Sequence, residues 1–242
     1  EVFQEILLYQ EKYNATSFDF YDLTAIVKRS WIKEFCNLII ENGAKFTWQL
    51  PTGTRSEALD SEITYLLNAA GCKYLVYAPE SGSSRVLKMI KKRLSLAKLK
   101  SSLRDSHKNH LGTKVNIIFG FPGETIGNII TSYKFIIEVA MIGVWDMSCF
   151  PFSPYPGSEI FEELRKSGSL EVNEEYFNRL AQYTDPSKAI SYSEHIPTFL
   201  LPIICTFGIV LFYFASFLAR PIRIFQTVRN LFEKNPKNKL EA

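Results

Sequence analysis

Five short apolar runs, each set between stretches with helical spacing, constrain this chain more than any other property of its sequence. The runs cover 16–21, 45–50, 74–78, 115–119 and 145–150. Helical patterns fill the intervals: about 25–42 closed by Gly43, 56–70 followed by Gly71, a long or broken stretch over 84–110, and 124–141. Val2, Ile6, Leu7 and Tyr13 predict one more amphipathic helix at the start. Pro51 and Gly53 are expected to break the second strand, as Pro and Gly punctuate strand ends elsewhere in the chain. Strict alternation at this spacing implies right-handed βαβ crossovers around a parallel sheet, so the fold class is α/β. The visible order opens on a helix, which leads us to expect a first strand and its loop upstream of Glu1.

The stretch Lys114–Thr125, K-V-N-I-I-F-G-F-P-G-E-T, is the centre of that pattern. Val115, Ile117, Ile118 and Phe119 read as a strand buried on both faces. Gly120-Phe121-Pro122-Gly123 is a turn, and Glu124 opens a helical pattern with its charge at the positive end of the helix dipole. Strand, glycine-bearing turn and helix N-terminus make a ligand position in α/β folds. A tight βα turn without a ligand is the plainer reading of the same residues.

Polar residues gather at the strand ends: Asp22, Arg55, Glu80 with Ser81 and Ser83, Gly120 with Gly123 and Glu124, and Ser153 with Tyr155. In a barrel these positions share one rim. Asp22 also suits a helix cap, Arg55 a solvated loop cation, and Tyr155 turn packing. Glu80 beside two serines and a glycine suits hydrogen bonding to a ribose or an ammonium group, with helix capping as the alternative.

Composition narrows the classes. A net charge of +3 over 242 residues is too small to argue for nucleic acid as a partner. Cys36, Cys72, Cys149 and Cys205 are scattered without a C-x-x-C pair, which suggests neither a zinc site nor a disulfide framework. Cys36 and Cys72 read as buried apolar residues, whereas Cys149, late in the last strand, is placed to face a pocket.

Gly71-Cys72, Glu80-Ser81-Gly82-Ser83, Val86-Leu87, Lys92, Gly120-Phe121-Pro122-Gly123-Glu124 and Pro154-Tyr155-Pro156-Gly157 together resemble the radical S-adenosylmethionine superfamily. The closer likeness is to the branch whose members often carry an N-terminal cobalamin-binding domain. The resemblance runs over 1–168 and implies a partial (β/α)6 TIM-like barrel, here lacking its first strand. It implies S-adenosylmethionine and a [4Fe–4S] cluster as cofactors, with cobalamin as a further one. A reducing electron donor and a small-molecule or lipid-like substrate would be partners. By the resemblance Glu80 and Ser81 hold the methionine or ribose part, Ile117 and Ile118 lie against adenine, and Gly120 to Glu124 form the turn beside it. Ser83, Asp22 and Arg55 fall among the family's further pocket positions.

The sequence departs from that family in one respect. No C-x-x-x-C-x-x-C loop is present, and four scattered cysteines do not replace it. Two readings remain: the downstream part of a larger enzyme, or a degenerate barrel that keeps a nucleoside pocket or a scaffold role. A third, outside the family, is an α/β enzyme that binds phosphate at the Glu124 helix.

Past the barrel, 169–195 read as a helical extension and linker. The run 196–219 carries no charged residue and would span ~36 Å as a helix at about 1.5 Å per residue, enough for a bilayer. The tail 220–242 places Arg220, Arg223, Arg229, Lys234, Lys237 and Lys239 among apolar residues, a basic amphipathic pattern of the membrane-surface type. The expectation is attachment at the cytoplasmic face of a membrane. Pro197, Pro202 and Gly208 favour a re-entrant hairpin, with a straight transmembrane helix as the alternative.

Overall fold

The computed structural model describes residues 1–21, 26, 28–54 and 59–232. Asp22 and Arg55 lie outside them. The strands β1 (Ser17–Asp19), β2 (Thr47–Gly53), β3 (Cys72–Glu80), β4 (Gly112–Phe119) and β5 (Asp146–Pro151) form one sheet in sequential order. The β1–β2 and β2–β3 pairs are parallel, with Phe18 opposite Trp48 and Gln49 opposite Tyr74. Helices α1 (Val2–Tyr13), α2 (Arg29–Glu41), α3 (Ser61–Ala69), α4 (Ser84–Met89), α5 (Leu96–Lys108) and α6 (Ile126–Ile142) alternate with them. The chain continues through α7 (Glu159–Lys166), α8 (Glu174–Ala181), α9 (Leu200–Ala219) and α10 (Ile222–Phe232).

The alternation expected from the sequence is present, with local differences. β2 runs through Pro51 to Gly53, with register shifts on either side of Leu50. The predicted segment 84–110 is two helices, because Ser95 accepts from Lys98 N–H and starts α5 afresh. β4 is not buried on both faces: Val115, Ile117 and Phe119 are fully buried, while Asn116 and Ile118 alternate with them on a half-open face.

Two compact units divide the chain. The first comprises Glu1–Ala78, Ser95–Val115 and Ile142–Asp146. Its core holds Trp48, Leu75 and Tyr77, and the Trp48 indole donates to Ala70 O at 2.8 Å. Tyr77 reaches the hydroxyls of Ser102 and Ser106 at 2.9 Å each, so this buried phenol is satisfied. Asp60 caps α3 by accepting from Ile63 N–H at 3.0 Å and pairs with Arg29.

The second unit comprises Pro79–Leu94, Asn116–Met141 and Met147–Ala242. One of its clusters packs Val86, Phe121, Phe152, Phe161, Leu164 and Tyr176. Ser158 caps α7 and Asn173 caps α8, each by accepting an N–H three residues on. Every residue that forms the cavity described next lies in this unit.

Candidate functional site

β3 ends at Glu80 with the backbone in the left-handed region, at φ +69°. A side chain with a Cβ is costly there, so the conformation is imposed by the turn that follows. That turn is locked by side chains from α6. Ser132 Oγ accepts from Gly82 N–H at 3.2 Å and lies 3.2 Å from Ser81 Oγ, and Asn128 Nδ2 donates to Ser83 Oγ at 3.2 Å. Gly82 permits this approach: a Cβ there would sit 2.5 Å from Phe135 Cβ. Ser83 in turn caps α4 by accepting from Val86 N–H. Ser81 and Ser83 are buried and hold the loop; the capping role belongs to Ser83 and not to Glu80.

The β4–α6 turn is organised by a carboxylate. Glu124 is fully buried, and its Oε2 accepts from Gly120 N–H at 2.7 Å and Phe121 N–H at 3.3 Å. α6 starts at Ile126, so Glu124 folds back onto the turn and does not open the helix as predicted. Burial pushes its carboxyl up to about 7, against the opposing effect of the two N–H donors. Its Oε1 has no hydrogen-bond partner among the described residues. The Glu124 carbonyl accepts from Ser193 Oγ at 2.6 Å, which ties the later linker to this turn. Gly123 sits at φ +74°, a conformation that a side chain rarely adopts.

Between these loops lies a cavity of about 360 Å³. Glu80 and Lys92 line it, with the Lys92 ammonium 3.0 Å from Glu80 Oε1. Ile118 and Phe121 supply an apolar wall, and Phe150, Ser153, Tyr155 and Tyr183 are among the residues that add aromatic and polar surface. The lining is mainly apolar with one acid–base pair, the composition of a site for an organic ligand carrying both a flat apolar part and charges.

The predicted site residues therefore separate by role. Glu80 and Ile118 line the cavity; Ser81, Ser83, Gly123 and Glu124 shape the two loops, and Gly120 donates to Glu124. Ile117 is fully buried on the opposite face of β4 and is not part of the lining. Lys92, Phe121 and Tyr183 were not predicted as site residues. Lys92 had one usable signal, its place twelve residues after Glu80 in the same motif series, but Lys91 and Arg93 flank it and nothing local singles it out.

Metal-binding groups are a different matter. Among the described residues no three His, Cys, Asp or Glu side chains are grouped to hold a metal ion. All four cysteines are buried free thiols. Burial pushes the Cys36 thiol up to about 12 and Cys72 higher still, whereas cluster ligands are thiolates. Cys149 does not face the cavity; its Sγ lies where a Cβ on Gly208 of α9 would come within 2.8 Å. The residues described here do not fit a [4Fe–4S] cluster.

No protein-family profile matches the chain. It is 28% identical over 186 residues to cytidylyl-2-hydroxyethylphosphonate methyltransferase of Streptomyces wedmorensis, covering 73% of this chain and 34% of that protein. The chain thus spans about a third of the length of that curated relative. Among solved structures, the radical S-adenosylmethionine methyltransferase TsrM of Kitasatospora setae, which holds cobalamin and a [4Fe–4S] cluster, matches with a TM-score of 0.59 at 14% identity. That match covers 72% of this chain and 34% of TsrM. Coproporphyrinogen III oxidase of Escherichia coli, a radical S-adenosylmethionine enzyme, matches with a TM-score of 0.52 at 17% identity, over 74% and 42%. In fold, the parallel α/β sheet of this chain is similar to that of those radical S-adenosylmethionine enzymes.

Proposed function

We propose that this chain is the downstream part of a cobalamin-dependent radical S-adenosylmethionine methyltransferase, and that its cavity holds the nucleoside and methionine portions of S-adenosylmethionine. The observation that carries the reading is the Glu80–Lys92 pair on the wall of a cavity otherwise lined by Ile118, Phe121 and other apolar side chains. An adenine ring needs a flat apolar surface, which Ile118 and Phe121 provide. The methionine end is a zwitterion. Glu80 offers an acceptor to its ammonium or to a ribose hydroxyl, and Lys92 a donor to its carboxylate.

The buried loops do the positioning. Ser132 and Asn128 fix the turn that presents Glu80, and Glu124 fixes the turn that presents Phe121. A cluster and cobalamin held by other residues would supply electron transfer and methyl carriage, while the residues described here would bind and orient S-adenosylmethionine. In the proposed enzyme the cluster thiolates and the cobalamin site belong to residues other than those described here. The methyltransferase relative and the cobalamin-holding TsrM support this reading.

Isothermal titration of the full-length protein with S-adenosylmethionine, anaerobically and with cluster loaded, tests it. Binding that falls in Glu80→Ala supports the assignment. Binding unchanged in both Glu80→Ala and Lys92→Met overturns it. Binding without cleavage of the ligand under strong reductant would favour the non-catalytic nucleoside-binding barrel.

A further inference from the structure

Helix α9 passes by length and composition for a transmembrane helix. Its surroundings do not suit a helix that crosses a bilayer. One face is buried in the second unit through Leu201, Cys205, Gly208 and Phe212. At Gly208 the approach is so close that a Cβ would lie 2.8 Å from Cys149 Sγ and 3.5 Å from the Phe119 ring. Tyr133 of α6 donates to Ile204 O at 2.9 Å, and Arg220 donates to Ala140 O and Met141 O at 3.0 and 2.9 Å. The helix is a covering layer of the fold, and pulling it into lipid would expose Phe119, Ile136 and Cys149 to water.

The opposite face of α9 has no cover among the described residues. Phe199, Ile203, Phe207, Val210, Phe214 and Leu218 follow one another at helical spacing, and each is exposed by 50 % to 70 %. They form an apolar stripe along a helix of roughly 30 Å.

Helix α10 is turned inside out. It directs Arg223, Thr227 and Asn230 inward, each at most 7 % exposed, and the Arg223 guanidinium donates to Ser216 Oγ of α9. Its outer side carries Ile222, Phe225, Val228 and Phe232, with the exposed Arg229 among them. A helix in contact with water turns its polar side out; this one turns it in. Two neighbouring helices with apolar outer faces exceed the scattered exposure ordinary for a soluble surface.

Charge selects the occupant. From Ile196 to Phe232 the sequence has no Asp or Glu, but it has Arg220, Arg223 and Arg229; beyond it Lys234, Lys237 and Lys239 outnumber Glu233 and Glu241. We infer that the outer faces of α9 and α10 rest in the interface of an anionic lipid bilayer, so that the protein lies on the membrane without crossing it. The apolar stripe would enter the headgroup–acyl boundary, with the exposed Arg229 and the lysines that follow in the sequence supplying the positive charge that anionic headgroups attract; Arg223 is buried and Arg220 is bonded to α6. The inference does not depend on what the cavity binds.

Flotation of the full-length protein with sealed vesicles tests it, using phosphatidylcholine alone and a 3:1 mixture with phosphatidylglycerol. The protein should float with the anionic vesicles, with about tenfold weaker partitioning onto neutral ones. Phe214→Glu and Phe225→Glu, both at exposed positions, should each abolish flotation while leaving the far-UV circular dichroism unchanged. Protease added outside the vesicles should reach the segments on both sides of α9. Three results overturn the inference: no flotation, flotation indifferent to both variants, or protection of one flank of α9 by the sealed vesicle. A lipid-free dimer that either variant splits would overturn it as well, by making a second copy the occupant.

Discussion

Lys92 Nζ lies 3.0 Å from Glu80 Oε1, and both side chains are partly open to solvent on the wall of the cavity. An ion pair so exposed contributes little to stability, on the order of 0–1 kcal/mol. Its complementary charges instead match those of an amino-acid zwitterion.

Replacing either partner should therefore separate binding from folding. Glu80→Ala should weaken S-adenosylmethionine binding by about 1.5–3 kcal/mol, the range of a hydrogen bond to a charged group. Thermal unfolding should change by less than ~1 kcal/mol. Calorimetry and a thermal melt on the same preparations check both halves. A large loss of stability with unchanged affinity would assign the pair a structural role.

Two glycines, Gly82 after β3 and Gly157 before α7, should respond to added side chains in different ways. Gly82→Ala places a Cβ 2.5 Å from Phe135 Cβ and 2.9 Å from the Ser132 backbone, and should cost about 1–3 kcal/mol through overpacking. Gly157, at φ +85°, has nothing within 4 Å of a built Cβ. Gly157→Ala should cost only the left-handed backbone penalty, about 1 kcal/mol. Denaturant unfolding of the two variants measures the difference, and equal costs would contradict the packing described at Gly82.

Glu124 should make stability depend on pH in an unusual direction. Its carboxyl is raised to about 7, above its unfolded value, so the folded state holds the proton more tightly. The associated stability is fully present below the unfolded pKa and is lost as pH rises through about 7. Between pH 5.5 and 8.5 the wild type should lose roughly 1–3 kcal/mol relative to Glu124→Gln, which keeps an acceptor for Gly120 and Phe121 but does not titrate. Unfolding both proteins across that range checks the sign. A wild type that gains stability on this scale from pH 5.5 to 8.5 would refute it.

The thiols offer a fourth check. All four cysteines are buried, and burial holds the Cys36 thiol up at about 12. Iodoacetamide at pH 8 should label none of them in the native protein and all four after unfolding. Anaerobic reconstitution of this chain with iron and sulfide should likewise yield no cluster absorption. A stoichiometry of about four irons per chain would show that buried thiols rearrange to bind the cluster.

The order of strands and helices was legible because each strand is a compact apolar run and each helix has its own periodicity or cap. The facing of β4 was not. Val115, Ile117, Ile118 and Phe119 are all apolar, so the two-residue period that separates Ile118 from Ile117 is invisible in composition. Glu80 was legible as a strand-end acid, but Ser81 and Ser83 read as ligand contacts because their partners, Ser132 and Asn128, come some fifty residues later. Lys92 and Tyr183 reach the cavity from loops whose course no local pattern specifies. An uncharged run such as 196–219 reads alike for a bilayer span and for a covering helix. What distinguishes them is the close fit of Gly208 to Cys149, a tertiary contact.

That Arg220 closes the C-terminal carbonyls of α6 some eighty residues earlier has a consequence for biosynthesis. As the chain leaves the ribosome, β4, α6 and β5 emerge well before the segment that covers them. Until α9 follows, the side chains of Phe119, Ile136 and Cys149 that meet it at Gly208 lack their cover, and the last carbonyls of α6 lack their donor. The nascent protein thus carries a window of vulnerability to aggregation that closes when α9 docks, and synthesis stalled before Arg220 would leave it open.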